Sequence, residues 1–454
     1  MASSYLDRTL GTPTNQYKYT ISAWVKRCSL GSDQTIFGVG DDGQNNAMLK
    51  FTSDDQIQIY DHISNTDKMN IKTNRKFRDT NAWYHVFVSS DRSIGSPSTQ
   101  IWVNGVQETS FASNNEYSQN DPGKFNTAVP HYVGAYTVGS QIYDGFISHF
   151  VFVDGSALAP TSFGQTDATS GIWKFKSPSG VTFGNNGIHL KFENSGNLGL
   201  DSSGNSNNMN SNGSLRQAID TPSNIYCTIN RLHAPSASQS ATLTFGNTKV
   251  AGNWNHWQRV YGTLGAKQGK WYYEFKNLND NGSGNHCRVG WDSVDFINMG
   301  TDSYYSGLTL DRAGALRGGE SGHNNYDPNA VQMTAAYSGG NFTYTANDIL
   351  GMAIDIDNNT FSVYKNGNLE INAYSYASNS NCSILKSKGH FIAPSWNWYS
   401  ASGNANRSCF NFGNGYFETT AITSAGSNGN GSLFEYDVPN GYYAWNTKNI
   451  NTYG

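Results

Sequence analysis

Ile101-Trp102-Val103-Asn104-Gly105-Val106 and, far downstream, Phe361-Ser362-Val363-Tyr364-Lys365-Asn366-Gly367-Asn368 read the same way. Each is a β-branched and aromatic run that ends in Asn-Gly, the pair that tolerates positive φ at both centres of a two-residue hairpin turn. Working outward, short apolar runs alternate with polar turns at 19–25, 34–39, 56–60, 83–88 and 145–153, and again at 270–275, 287–291, 348–356, 391–394 and 409–413. This alternation predicts strands. A sustained 3.6-residue period is absent, and Ala159-Pro160-Thr161-Ser162-Phe163-Gly164 predicts one helical turn, with Pro early and Gly at its end. The expected fold is all-β: two antiparallel β-sandwich domains in series with a short aromatic C-terminal tail.

A chain of 454 residues accommodates two full-sized sandwiches. Composition shifts to Asn, Ser and Gly after Asn194, which reads as a loop or linker. The expected boundaries are 1–215 for the first sandwich, 216–238 for a linker, 239–415 for the second sandwich, and 416–454 for a Gly- and Asn-rich tail. Charged residues are only 14%, so polarity rests on amides and hydroxyls, a surface suited to glycans or proteins. A net charge of -4 gives no basic excess for nucleic acid. Cys28, Cys227, Cys287, Cys382 and Cys409 form no Cys-x-x-Cys pair, which argues against zinc and redox motifs and for buried thiols in a chain made in a reducing cytoplasm. Met1 to Arg8 lacks the pattern of a secretory signal. Nor does any apolar run approach the roughly 20 residues that span a bilayer.

Catalytic motifs fail on context. Gly38-Val39-Gly40-Asp41-Asp42-Gly43 fits a dinucleotide pattern, but a strand follows it where a helix is required. Asp355-Ile356-Asp357 begins like a calcium loop, yet Thr360 replaces its glycine and Asn366 its bidentate Glu. Glu435-Tyr436-Asp437 lacks the second Glu of a glycosidase pair, since Asn440 stands there. Gly-x-Ser-x-Gly and His-Glu-x-x-His are absent. His62 and His85, beside aromatics, read as packing. The binding candidates are Trp254, His256 and Trp257, and Trp396, Trp398 and Tyr399, where Trp alternates with amides or hydroxyls as in a sugar-stacking platform. The same alternation is also how a strand buries Trp and solvates Asn. Tyr442, Tyr443 and Trp445, around a Pro-Asn-Gly turn, are candidates for an assembly contact.

Residues 20–26 with Trp24, Asp33-Gln34-Thr35-Ile36-Phe37, Trp83-Tyr84-His85-Val86, Trp102-Val103-Asn104-Gly105, Asp144-Gly145-Phe146-Ile147 and Phe152-Val153-Asp154-Gly155 occur in order at sandwich spacing. This half resembles the laminin G-like or concanavalin A-like jelly roll of marine bacteriophage and algal-virus structural proteins. The second half resembles a SPRY domain. Tyr304, Tyr305 and Gly307 stand in that family's central segment, while 312–340 is longer and richer in Gly than the family pattern. The tail is similar to those that follow SPRY-like units in marine phage proteins.

The resemblance implies a non-enzymatic virion structural protein, a fibre, decoration or receptor-binding component that binds host-surface glycan or receptor, or neighbouring virion proteins, as a homo-oligomer. It implies neither nucleic-acid binding nor membrane insertion. A purely structural self-assembling protein and a polysaccharide depolymerase are the alternatives. No cofactor is expected, except calcium at a rim site built from Asp41, Asp42 and Asp144, as laminin G-like folds sometimes carry.

Overall fold

Both Asn-Gly pairs take positive φ at both positions, with Asn104 and Gly105 at 51° and 77° and Asn366 and Gly367 at 50° and 82°. In each turn the Asn adds a rung to the ladder. Its N–H donates to the carbonyl of His85 or Ile349 (3.0 and 2.8 Å), and its Oδ1 accepts from the N–H of that same residue (2.8 and 2.9 Å). The computed structural model describes residues 4–40, 43–232, 241–252, 258–279, 285–293, 307–311, 316–318, 331–332, 342–377, 385, 389–400, 407–422 and 424–454. Two compact units result, Met1–Ser223 and Asn224–Gly454. Their border falls inside the stretch expected to be a linker.

In the first unit, two antiparallel sheets face one another. One has eight strands, in the order Phe111–Asn115, Thr66–Lys76, Gln56–Ile63, Asn45–Phe51, Gln34–Gly40, Pro130–Val133, Tyr5–Thr9 and Asn210–Asn212. The other has six: Ile188–Leu190, Gly145–Asp154, Lys18–Arg27, Trp83–Asp91, Thr99–Val103 and Val106–Gln107. Tyr19, Ile21, Ala23 and Val25 point from the central strand into the core between the sheets. A half-exposed sheet would leave the alternate residues in water. Here Thr20, Ser22, Trp24 and Lys26 are buried as well, because residues 156–187 and 216–221 cover the outer face. The 3-10 turn Pro160–Ser162 opens the first of these coverings, with Pro at its start as expected.

The second unit repeats the architecture with other strands. Seven strands run Thr242–Thr244, Lys249–Ala251, Arg407–Asn411, Lys270–Asn277, Ile349–Asp355, Thr360–Lys365 and Asn368–Ser375. Opposite them lie Gln258–Tyr261, Ile392–Ser400, Asn285–Ser293, Leu308–Asp311, Leu316–Gly318 and Val331–Gln332. The C-terminal segment is part of this sandwich rather than an appendage. Tyr443–Ala444 pairs in parallel with Trp271 and Tyr272, Trp445 is fully buried against Trp271, and the helix Thr447–Tyr453 follows, capped by the Asn446 side chain. The four described cysteines, Cys28, Cys227, Cys287 and Cys409, are buried and form no disulfide, as expected of packed thiols.

Candidate binding cleft

Of the sequence candidates, Trp396 and Trp398 are corrected. Both are wholly buried with rings parallel at 6.5 Å, because Ile392–Ser400 is an interior strand between Gln258–Tyr261 and Asn285–Ser293. Its amide face is buried too, with Asn397 Oδ1 accepting from Arg259 Nε at 3.0 Å, so this alternation belongs to a core strand and offers no platform. Tyr399 continues the strand, its side chain outside the described residues, as are Trp254, His256, Trp257, Asp41 and Asp42. Asp144 is half-buried, its N–H donating to Gln34 Oε1 and its carbonyl accepting from Cys28. Among the described residues no three His, Cys, Asp or Glu gather as metal ligands. Trp445 is likewise core, for the reason given above. Tyr443 stacks on Tyr453 at 3.7 Å and Tyr442 lies under Lys270, both half-buried.

A cleft that no motif announced lies in the first unit, lined by Ser4 and Leu6, by residues 145–149 of the strand Gly145–Asp154, and by residues 191–193 and 215–221. It encloses ≈ 480 Å³. Phe146, Ile147 and Phe192 give it apolar walls, while Ser148, His149, Lys191, Glu193 and Arg216 bring polar groups. Its outer wall is the segment 215–221, which composition alone placed across the end of the first sandwich and a linker. Lys26 and Asp220 hold that wall by an ion pair of 2.7 Å, at 0% and 2% side-chain exposure, and Trp83 Nε1–H donates to the other Asp220 oxygen at 2.9 Å. Gln217 ties the wall to the opposite side by donating to the carbonyls of Phe192 and Glu193 (2.7 and 2.9 Å). The cleft is therefore preformed. Backbone strain marks its rim, for His149 sits at φ 47° in a bulge where Gly145–Asp154 slips against Lys18–Arg27. A bulky residue in that region needs surroundings that hold it there.

Among the described residues, the titratable groups that burial perturbs do not form catalytic sets. His85 lies 2.8 Å from Ser22 Oγ, which resembles a nucleophile and its base. However, Trp173 Nε1–H donates to His85 Nδ1 at 2.9 Å, so Nδ1 is the acceptor and Nε2 carries the proton toward Ser22. A base must accept from its serine, so this pair cannot activate Ser22. Burial also pushes the His85 imidazole down to about 3 and keeps it neutral. Asp61, pushed up to about 6 by burial, accepts from Tyr117 and from the N–H of Lys124 (2.7 Å). Glu274, pushed up to about 7 by burial, accepts from Asn411 and from the N–H groups of Glu435 and Tyr436. Each is a single buried carboxylate bonded by groups of the fold, at Oδ2 in Asp61 and at both oxygens in Glu274, and neither lines the cleft, unlike an acid and base flanking a glycosidic bond.

Residues 3–162 match the laminin G family model described as the concanavalin A-like lectin/glucanases superfamily. No curated protein matches the chain. Among solved structures, the chain is similar to domains LG4-5 of the mouse laminin alpha1 chain, at 10% identity and TM-score 0.30, over 96% of this chain and 92% of that one. It is also similar to the SPRY domain of human HERC1, at 16% identity and TM-score 0.27, over 40% of this chain and 96% of that one. A third is domain 4 of AbnA, a GH43 extracellular arabinanase from Geobacillus stearothermophilus, in complex with arabinotriose, at 21% identity and TM-score 0.25, over 32% of this chain and 64% of that one. Over residues 3–162, then, the likeness of this chain is to laminin G and concanavalin A-like domains.

Proposed function

We propose that the chain is a non-catalytic virion structural protein of a marine bacteriophage, a fibre, decoration or receptor-binding component whose first unit holds host-surface glycan. The observation that carries this reading is the preformed cleft on a lectin-type sandwich. The half-buried rings of Phe146 and Phe192 offer apolar faces to a sugar, and Ser148, Lys191 and Glu193 supply donors and acceptors for its hydroxyls. Binding is stoichiometric and needs no cofactor. Calcium at Asp41, Asp42 and Asp144 is the one cation the reading admits, and a chelator tests it. Synthesis in the host cytoplasm and release with the particle supply the route outward. Half-buried Tyr442 and Tyr443 are available to neighbouring virion proteins or to a second copy.

The test is adsorption of the labelled full chain to host cells, with purified host polysaccharide as competitor. Phe192→Ala, which keeps both ties of the cleft wall, is expected to weaken adsorption about tenfold through loss of a stacking ring. Unchanged adsorption in a folded Phe192→Ala protein would remove the cleft from the account. Imaging of intact particles then places the chain, or fails to find it there.

A further inference from the structure

Three histidines on three strands of the six-stranded sheet meet rings from a single covering segment. His85, on Trp83–Asp91, is sandwiched between Trp24 (4.9 Å, 17°) and Trp173 (6.0 Å, 19°). His149, on Gly145–Asp154, lies flat against Phe175 at 3.5 Å and 8°. On Ile188–Leu190, His189 stacks with Phe183 at 5.9 Å and 14°.

The covering segment is otherwise self-contained. Gly164–Thr166 and Trp173–Phe175 pair only with each other, and the turn between them closes on Asp167, which bonds Ser170 and pairs with Lys174 at 2.8 Å. From residue 164 to 182, the one hydrogen bond that reaches the sheet among the described residues is Trp173 Nε1–H to His85 Nδ1. The ends, by contrast, are anchored. Phe163 is buried among Phe87, Val151 and Val153, and the Phe183 carbonyl accepts from Asp154 at 2.8 Å.

We propose that residues 164–182 form a proton-released strap, closed while His85 and His149 are neutral and opened when they take up protons, uncovering the aromatic outer face around Trp24 and His85, while His189 stays on the anchored Phe183. The closed strap requires an unprotonated His85 Nδ1, because Trp173 can only donate. Burial lowers His85 to about 3 and His149 to about 4, and lowers His189 as well. The groups facing them divide. Among the described residues burial alone acts on His85; Lys191 opposes protonation of His149 and His189, His189 also opposes that of His149, and Asp201 and Glu193 favour protonation of His189. Lys174 and Asp167 pair within the hairpin and travel with it.

The sign follows from linkage. Released histidines titrate near 6.5 and closed ones well below, so the strap is most firmly closed above that value and loosens as pH falls toward 4. Each of the two histidines on the strap contributes up to about tenfold in the open-to-closed ratio per pH unit over that window, and the two together up to about a hundredfold.

Hydrogen exchange on the full chain between pH 7.5 and 5.0, corrected for intrinsic exchange, reads this out. Protection of amides 164–176 is expected to fall more than a hundredfold while the strand Lys18–Arg27 stays protected. His149→Asn, which keeps a residue at ease at positive φ, is expected to lower the pH slope by one proton. Protection that changes less than threefold, loss of the central strand at the same pH, or an unaltered slope in His149→Asn would each overturn the proposal.

Discussion

The two Asn-Gly turns share one backbone and differ in what is laid upon them. A Cβ on Gly105 would lie 2.5 Å from the Trp173 ring, and one on Gly367 would lie 2.7 Å from the Tyr436 ring. In each unit the bare glycine is the seat for an aromatic side chain from a segment later in the chain. Each such segment is tied down by a buried titratable group on a neighbouring strand: Trp173 donates to His85, and the Tyr436 N–H donates to Glu274. The two buried groups have opposite pH senses. Burial favours the neutral form of both groups, which holds His85 low and Glu274 high. One hairpin solution thus serves two covers, the first beside a buried group whose protonation is opposed and the second beside one whose ionisation is opposed.

The sharpest break between the units is the ion pair Lys26–Asp220, which only the first uses to hold its cleft wall. Asp220→Ala leaves a buried ammonium without its partner and is expected to destabilise the first unit by about 3–5 kcal/mol, measured by urea unfolding, and to abolish the cleft. Next comes pH. A carboxyl raised from 4.5 to about 7 on folding makes the second unit lose stability as pH climbs through that window, by on the order of 3 kcal/mol. Unfolding midpoints from pH 4.5 to 7.5 check this, and Glu274→Gln is expected to flatten the slope. A slope of the opposite sign would show that the three N–H donors outweigh burial.

Gly105→Ala and Gly367→Ala are expected to cost about 2 kcal/mol each, from the left-handed backbone and the displaced ring. They sharpen the comparison because only Gly105→Ala should lower exchange protection at residues 164–176. Smallest is Asn104→Ala, about 1 kcal/mol by calorimetry, for the lost acceptor of the His85 N–H. An equal loss from Asn366→Ala would show that the two turns are energetically as well as geometrically alike.

The turns and strands were legible because they are local. Asn-Gly after a β-branched run, period-2 alternation and a Pro-initiated turn each act over a few residues. Burial of Trp396 and Trp398 was one of two readings the alternation left open, but burial of the amide face as well was not legible, since alternation names two faces without saying that both are covered. That depends on residues such as Arg259 reaching Asn397 from a neighbouring strand. The cleft was invisible for a related reason. Trp83, Phe146, Phe192 and Asp220 share no motif, and Lys26 meets Asp220 across 194 positions of sequence. A signal for the covering strap was present, however. Trp173 and Phe175, then Val181 and Phe183, alternate with polar residues inside a Gly- and Ser-rich tract, a one-sided pattern that needs a surface to cover.

In the proposed function, the first unit binds glycan in a preformed cleft and leaves it intact. Calorimetric titration of host polysaccharide into the full chain, followed by sizing of the recovered polysaccharide, tests both halves together. Saturable binding that Phe192→Ala weakens about tenfold is expected, with the polymer length unchanged after prolonged incubation. Shortened polysaccharide, or binding indifferent to Phe192→Ala, would contradict the proposed function.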